Sequence, residues 1–273
     1  MDAVAIAQRS VGSIGFGVGK RGEQTVVTRL YQAGALRLRL VRAEQENFAT
    51  AVLLNTGGGI AGGDRLDIDI ATATQARLLI STQGAERVYR ASALDDPARI
   101  NVRLAVAEGA VVEFLPQETI LFDQAALTRQ TRVEIAGAGR YLGVESLIFG
   151  RAAMGEIVRR LDFSDRIEII RDGRLVFLDR LCPPQDFQQA QNHGAMLAGA
   201  MAMATILLAD IDAERWLVAV RAALGAERAG ASAWNQLLVV RILAQSGEAL
   251  RMLVRRVLNV LREGRAMPRV WGC

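Results

Sequence analysis

Residues 53–64 read LLNTGGGIAGGD, and the run LDIDI follows at residues 66–70. Five of the seven residues from Gly57 to Gly63 are glycine, and the stretch ends on the carboxylate of Asp64. Glycine enters left-handed backbone conformations freely and lets another backbone approach closely. The strict apolar/acidic alternation of LDIDI is typical of a half-buried β-strand. The stretch therefore predicts a tightly folded turn between two strands, against which another part of the chain packs.

Within this turn, Gly57, Gly59 and Gly62 match the G-x-G-x-x-G pattern of dinucleotide-binding proteins. That pattern binds a pyrophosphate only where the glycines open a helix, whose N-terminus faces the anion. Here a strand pattern follows, and Asp67 and Asp69 would repel a phosphate. No Lys-Ser or Lys-Thr pair follows a glycine run, which argues against a phosphate-binding loop. A dinucleotide-binding oxidoreductase using Gly57-x-Gly59-x-x-Gly62 is the alternative function, and a glycine-rich hairpin without a ligand is the simplest structural interpretation.

Further strand patterns, separated by glycine and proline turns, fill the first two-thirds of the chain. The clean alternation recurs at residues 36–40 and 100–104, and Asp172-Gly173 between two apolar runs is a strong hairpin signal. Many short strands of this kind predict a sandwich, a barrel or a solenoid of sheets, and the sequence does not choose among them. In the last third, a helix is predicted at 213–224 and a buried strand at 234–243.

The clearest helical pattern follows that strand. Apolar residues recur at three- and four-residue spacing, which gives a stripe about 100° wide, at Leu250, Leu253, Val254, Val257, Leu258 and Leu261. Ser246 is placed to cap the start of this helix, and Gly264 to end it. Arg251, Arg255 and Arg262 fall on a separate face. We expect that face to point outward, either as solvated surface or as a docking surface for a protein partner.

The amino-acid composition argues against several classes of function. The chain of 273 residues is 51% apolar and carries a formal net charge of +4. Its arginines are spread along the sequence without interleaved aromatic residues, which favours protein partners over nucleic acid. A single histidine, His193, and the lack of cysteine pairs exclude the usual zinc sites and leave little for acid–base catalysis. We therefore expect a protein that binds and positions other molecules, and not an enzyme.

We expect this protein in the cytoplasm. Its first ten residues, MDAVAIAQRS, lack the basic start and apolar run of a signal peptide. The longest apolar stretch, residues 194–209, is shorter than the ~20 residues that a membrane span needs, and it predicts a buried core segment. Cys182 and Cys273 offer no disulfide framework, which suits a reducing compartment.

Several segments, in a fixed order, resemble the urease accessory protein D (UreD) family, called H in some organisms. The resemblance begins with LLNTGGGIAGGDRLDIDI and TQGAERVYRA, includes EFLPQETI at 113–120 and ESLIFGR at 145–151, and ends with PRVW at 268–271. This series is far more specific than any of its parts. One departure lies at Asn55-Thr56-Gly57, where many members carry His-Pro-Pro, so a metal role of that histidine does not transfer.

The resemblance implies a fold and a function. The fold is mainly β, a layered, solenoid-like stack of sheets with about two α-helices in the C-terminal third. We expect one domain over residues 1–273, with a β-rich part at 25–210 and a helix-containing part at 211–273. The implied function is urease maturation, in which the protein binds the urease apoprotein, a UreF-like helical scaffold and a UreG-like GTPase. It would help to deliver nickel through an internal tunnel and hold no tightly bound cofactor, only transient Ni²⁺.

A delivery route needs weak nickel sites, and carboxylates bind divalent ions less tightly than clustered imidazoles or thiolates do. The resemblance carries over five candidate acids for this route: Asp64, Glu86, Glu118, Glu145 and Asp179. For each of them, a turn cap or a salt bridge with an arginine is the alternative role. A β-solenoid that binds carbohydrate is a third function class, but aromatic residues make up only 5% of the chain and offer little for a sugar platform.

Overall fold

The computed structural model describes residues 9–42, 47–92, 95–151 and 154–272, so Cys273 lies outside the described residues. The fold is mainly β, as expected. The strands in chain order are β1 (Val11–Arg21), β2 (Gln24–Gly34), β3 (Leu36–Val41), β4 (Phe48–Asn55), β5 (Arg65–Thr72), β6 (Arg77–Thr82), β7 (Glu86–Val88), β8 (Ala98–Val106), β9 (Val111–Leu115), β10 (Thr119–Leu121), β11 (Ala126–Ile135), β12 (Arg140–Phe149), β13 (Asp162–Arg171), β14 (Arg174–Leu181), β15 (Ala202–Ala209), β16 (Ala229–Trp234) and β17 (Leu237–Ala244). The helices are α1 (Phe187–Asn192), α2 (Leu217–Leu224) and α3 (Gly247–Leu261), with 3-10 turns at Ala213–Trp216 and Arg269–Gly272. None of the helices in the described ranges combines the length and the apolar character needed to cross a membrane.

The strands form two sheets. Sheet A has seven strands in the order β14-β13-β11-β8-β5-β1-β2. Sheet B has the order β16-β17-β15-β12-β9-β6-β4-β3, with the short strands β7 and β10 attached. Apart from β7 and β10, the chain alternates between the two sheets from β4 to β13, so that the successive strands of each sheet pair in parallel. This is the layered, solenoid-like stack that the resemblance implies.

Apolar side chains of the alternating strands meet between the sheets. In β5, Leu66, Ile68 and Ile70 are buried, whereas Asp67 and Asp69 point to the outer face of sheet A. Side chains two positions apart lie on the same face of a strand, so the alternation in the sequence places the apolar residues on the inner face and the acidic residues on the outer face. A second apolar core lies on the outer face of sheet B, where α2 and α3 cover the strands.

The two C-terminal helices lie where the sequence predicts them. The first begins as the 3-10 turn at Ala213–Trp216 and continues as α2. At the start of α3, Ser246 Oγ accepts a hydrogen bond from Ala249 N at 3.1 Å. The apolar stripe of α3 is buried against sheet B. The apolar stretch before the helices supplies β15, which is buried along its whole length between β12 and β17.

Two boundaries differ from the prediction. The strand predicted at 234–243 is β17 and begins three residues later, at Leu237, because Trp234 ends β16 and a turn joins the two strands. Asn235 (φ +47°) and Gln236 (φ +65°) form this turn. Positive φ at both central residues is the geometry that lets a two-residue turn follow the twist of the strands. In addition, β1 begins at Val11, ahead of the predicted β-rich part.

Candidate functional site

The glycine-rich stretch forms the turn between β4 and β5 and packs against residues 86–90. Ile60 N donates to Arg87 O at 2.7 Å, and Tyr89 N donates to Ile60 O at 2.8 Å. A Cβ on Gly59, whose φ is +151°, would lie 2.3 Å from the ring of Tyr89. This close approach requires a glycine. Because a strand and not a helix follows, the turn offers no helix N-terminus to a pyrophosphate, and the dinucleotide-binding alternative is wrong.

Asp64, at the end of this turn, is held by the main chain. Its Oδ1 accepts a hydrogen bond from Ser10 N at 2.7 Å, and its Oδ2 accepts one from Ala61 N at 2.8 Å. The residue is buried. Two cavities lie between the sheets, a large one that Glu86 and Glu145 line and a small one that Glu145 and Asp179 line, and Asp64 lines neither of them. Both oxygens serve the turn, which is the structural role that the sequence left open. A role of Asp64 as a nickel ligand stays a prediction.

A cavity of about 550 Å³ lies between the two sheets. Most of its walls are apolar side chains from both sheets, including Leu36, Leu53, Leu66, Ile68, Ile100, Val102 and Phe114. Its polar lining includes Thr82, Gln83, Arg87, Gln117 and Thr119, and two groups that contain candidate acids. Asn55 and Glu86 lie near the glycine turn, and Arg129, Thr131 and Glu145 lie where β11 and β12 face each other. The cavity thus joins the two groups that contain Glu86 and Glu145.

Glu86 is held by weak hydrogen bonds. Asn55 Nδ2 donates to Glu86 Oε2 at 3.2 Å, and Arg87 N donates to Glu86 Oε1 at 3.3 Å. Burial raises the pKa of Glu86, while these hydrogen bonds favour the ionised form and oppose the rise. Both hydrogen bonds are longer than the about 2.7–2.9 Å that is typical of hydrogen bonds between charged groups.

Arg129 of β11 holds two carboxylates from different sheets. Its Nη2 bonds Glu145 Oε2 on β12 at 2.9 Å and also Asp165 Oδ2 on β13, and its Nε bonds Asp165 Oδ1 at 3.0 Å. Its Nη1 donates to Thr119 Oγ1 at 3.2 Å, and Thr119 is the register partner of Glu86. The three charged side chains are between 6% and 13% exposed. Polar groups therefore continue from Glu86 through the interior to Asp165.

The two carboxyl groups bound by Arg129 differ in their affinity for a proton. Burial is the main reason why the pKa of Glu145 rises to about 8; the charge of Arg129 opposes this rise, and Asp165 adds to it. Burial also disfavours ionisation of Asp165, but the charge and hydrogen bonds of Arg129 outweigh it and hold the pKa of Asp165 below its usual range. Of the two, Glu145 therefore takes up a proton more readily and Asp165 favours the ionised form.

Glu145 also borders a second, much smaller cavity. This pocket offers about 10 Å³, roughly the space of one water molecule. Asp165 lines it as well, and its far side is formed by Asp179 of β14 and Arg241 of β17. Arg241 Nη2 bonds Asp179 Oδ2 at 2.6 Å, and Arg241 Nη1 donates to Thr205 Oγ1 at 2.9 Å. The Arg241 side chain is 43% exposed, so this ion pair lies between the pocket lining and the protein surface.

Three of the five candidate acids, Glu86, Glu145 and Asp179, therefore line the two cavities. Glu118 does not, although it is buried. Its Oε1 accepts a hydrogen bond from Arg251 Nε at 2.8 Å, and its Oε2 accepts one from Arg251 Nη2 at 2.6 Å. This bidentate pair joins α3 to the loop after β9. It is the salt-bridge role that the sequence allowed for Glu118.

Among the described residues, no group of three or more His, Cys, Asp and Glu side chains is placed to hold a metal ion. His193 is exposed at the end of α1, where its Nδ1 accepts a hydrogen bond from Ala195 N at 3.2 Å. A cation between the sheets would meet two carboxyl groups at one point, those of Glu145 and Asp165. Such a site binds weakly by comparison with clustered imidazoles or thiolates.

The prediction that Arg262 points outward is wrong. Arg262 and Glu113 of β9 are both 0% exposed, and Arg262 Nε bonds Glu113 Oε2 at 2.8 Å. Arg265 Nη2 lies 2.8 Å from the other oxygen of this carboxylate, as an ion pair without hydrogen-bond geometry. Arg262 follows α3 directly and lies on the side that covers sheet B, where a buried cation needs an anion. Arg251 is only partly exposed because it reaches into the protein, whereas Arg255 is exposed.

Sequence reasoning missed three charged residues of the interior: Arg129, Asp165 and Arg241. Each of them occupies an inward-facing position of a strand whose other inward residues are mainly apolar. In β13, for example, Asp165 lies between the buried Phe163 and Ile167 in the alternation. A charged residue at a core position of a strand pattern is the signal that could have identified them, because such a group must be paired inside the protein.

The sequence is similar to proteins of one known family. The sequence model of the UreD urease accessory protein family matches residues 10–272. The urease accessory protein UreD of Rhizobium etli is 40% identical over 249 residues, which are 91% of this chain and 90% of that protein. UreD of Rhodopseudomonas palustris strain HaA2 is 40% identical over 273 residues, 98% of this chain and 95% of that protein. The chain therefore belongs to the UreD family of urease accessory proteins, which are assembly factors and not enzymes.

Proposed function

We propose that this chain delivers nickel during urease maturation along a route of weak carboxylate sites between its two sheets. Membership of the UreD family supports the role in urease maturation. The observation that carries the nickel route is that the large cavity and the small pocket share Glu145. Polar groups thereby continue from Glu86 near the glycine turn to Asp179 at the edge of the sandwich.

The chemistry of this route suits a cargo that must be released. Its polar lining consists of carboxylates, hydroxyls, amides and the guanidinium groups of Arg87, Arg129 and Arg241, without the imidazole and thiolate groups that retain Ni²⁺. Apolar walls cannot replace the water around an ion, so nickel would stay hydrated in the large cavity. It would exchange water for carboxylate oxygen only at Glu86, at Glu145 with Asp165, and at Asp179. Nickel is then a passing substrate and not a resident cofactor.

We further propose the urease apoprotein, a UreF-like helical scaffold and a UreG-like GTPase as partners, in the cytoplasm and without nucleic acid or membrane. Helix α3 is our candidate for the scaffold surface, because Arg255 and Arg256 are exposed on it and arginine is enriched in protein interfaces. Arg262 takes no part, since it is buried. Arg251 serves the fold first, through its pair with Glu118.

The test of the nickel route is the nickel content of urease from cells that carry Glu86→Gln, Glu145→Gln or Asp179→Asn in this chain. Each variant should lower the nickel per urease and the urease activity in part, with the accessory complex intact, because a relay slows when one weak site is lost. Asp69→Asn is the matched control, since it removes an acid from the exposed outer face of sheet A. Full nickel loading in all three variants would refute the route.

The scaffold surface is tested by a pull-down with the helical partner. Reversing both exposed charges, Arg255→Glu with Arg256→Glu, should weaken capture. The partner surface that binds these arginines would be negatively charged, and it would repel the two glutamates. Arg174→Glu, at the exposed β13–β14 turn, is the control for a general charge effect. Capture at normal strength by the double variant would exclude this face of α3 and leave the nickel route standing.

A further inference from the structure

Two arginines lie across the proposed route. Arg129 extends from β11 of sheet A to Glu145 on sheet B, and Arg241 extends from β17 of sheet B to Asp179 on sheet A. The small pocket of about 10 Å³ lies between these two ion pairs. Each arginine thus occupies carboxylate oxygens that a passing cation would need.

The hydrogen bonds of Arg129 explain which ions could replace it. Its Nε and Nη2 bond the carboxyl groups of Asp165 and Glu145, and its Nη1 bonds Thr119 Oγ1. A guanidinium attracts carboxylates by its charge and also by its directed N–H groups. A monovalent metal ion has the same charge without these hydrogen bonds. A divalent ion has twice the charge, and because the Coulomb energy scales with the product of the charges, it can compete for the same oxygens.

Both arginine side chains have space to move aside. Arg129 lines the large cavity of about 550 Å³, so its guanidinium can turn into that space without disturbing a strand. The Arg241 side chain is 43% exposed and can turn toward solvent. Neither movement requires the sheets to separate.

We propose that Arg129 and Arg241 are charge-selective gates of this route, each displaced from its carboxylates by a divalent cation and each driving that cation onward when it returns. This inference rests on the nickel route proposed above. It makes the two arginines specificity-determining residues. Without a divalent ion, the guanidinium groups exclude monovalent ions from the carboxylates; with one, they keep its binding weak.

The experiment measures the binding of Ni²⁺ alone to the purified accessory complex by titration calorimetry. Arg129→Gln should bind Ni²⁺ roughly 10–100-fold more tightly than the wild type, because the ion no longer has to displace charge-assisted hydrogen bonds. The same variant should pass less nickel to urease, since the ion is retained. Arg129→Lys keeps the charge and should restore most of the weak binding.

The matched control is Arg140→Gln. Arg140 Nε bonds Asp210 Oδ2 at 2.7 Å with both side chains mostly buried, but Arg140 lines neither cavity. Its loss should leave the Ni²⁺ affinity unchanged. A second readout is ion competition: potassium should weaken Ni²⁺ binding in the Arg129→Gln complex and have little effect on the wild type beyond ionic strength.

Unchanged or weaker Ni²⁺ binding by an assembled Arg129→Gln complex would overturn the proposal that Arg129 and Arg241 are gates. If that variant does not assemble, the more exposed Arg241→Gln decides in the same way: tighter binding supports the gates, and unchanged binding overturns them. Failure of the route itself looks different, because Glu145→Gln would then leave nickel delivery unchanged. If only the gates fail, Glu145→Gln still delivers less nickel.

Discussion

Replacing Arg262 by methionine should destabilise the protein strongly, because it leaves a buried carboxylate without one of its two partners. Arg262 and Glu113 are both 0% exposed, and their atoms Nε and Oε2 lie 2.8 Å apart. Removing one partner of a buried ion pair costs about 3–5 kcal/mol. Arg265 still forms an ion pair with the second oxygen of Glu113 at 2.8 Å. We therefore expect the lower end of that range, about 3 kcal/mol.

The assay is equilibrium urea unfolding followed by tryptophan fluorescence. Trp271 lies in the same C-terminal segment, and its Nε1 donates to Ser81 Oγ at 3.1 Å, so its emission reports the docking of this segment. With a urea dependence of up to about 3 kcal/mol per molar, the loss should lower the unfolding midpoint by roughly 1 M. Arg255→Met is the control, because this exposed residue of the same helix should change stability by no more than about 0.5 kcal/mol.

A double variant separates the unpaired charge from the lost packing. Glu113→Gln together with Arg262→Met removes both charges and should recover part of the stability lost in Arg262→Met alone. A cost below about 1 kcal/mol for Arg262→Met would refute the reasoning, since that is the contribution of an exposed ion pair.

Three further predictions concern other parts of the fold. Trp271→Ala should cost about 3–5 kcal/mol in the same urea assay, because it removes a buried indole; a cost under about 1 kcal/mol would contradict the docking of this residue. Gly59→Ala should lower the thermal midpoint, because the added methyl group meets the ring of Tyr89 at 2.3 Å, and a second change, Tyr89→Ala, should restore part of the loss unless the strain at φ +151° dominates. Burial disfavours ionisation of Glu156, but hydrogen bonds from Arg151 and the main chain outweigh it and lower its pKa from the usual 4.5. A carboxyl group whose pKa is lowered by folding adds stability above its pKa in the unfolded chain, and this stability is lost as the pH falls through its pKa in the folded protein. The difference in thermal midpoint between the wild type and Glu156→Gln should therefore shrink below pH 4.5. A difference that persists at lower pH would argue against this ion pair.

The elements of the fold were predictable where they depend on local patterns. The alternation around Ile68 identified β5, and the cap at Ser246 located the start of α3. The pairing of the strands was not predictable in this way, because a sandwich, a barrel and a solenoid share the same period of two. The turn at Asn235 and Gln236 was missed because it lacks glycine, although asparagine also enters left-handed conformations.

The site was predictable only in part, for a related reason. A helical pattern shows which residues share a face, but not what that face meets. Arg262 was therefore assigned to the surface, while its partner Glu113 lies 149 residues earlier in the chain. The resemblance supplied Glu145 as a candidate, but its raised pKa follows first from burial, which Arg129 opposes and Asp165 reinforces, and only the folded chain creates that environment.

The docking of Trp271 also has a consequence for synthesis. The indole contacts Ser81, which lies 190 residues earlier in the chain. At about 5–20 residues per second, a ribosome takes roughly 10–40 s to cover that interval. During this time the outer face of β6 and β9 lacks both its apolar cover and the cations that pair with Glu113. Exposed strands of this kind associate with other chains, so the yield of this protein should depend on how fast the chain is completed, and not on the stability of the finished fold alone.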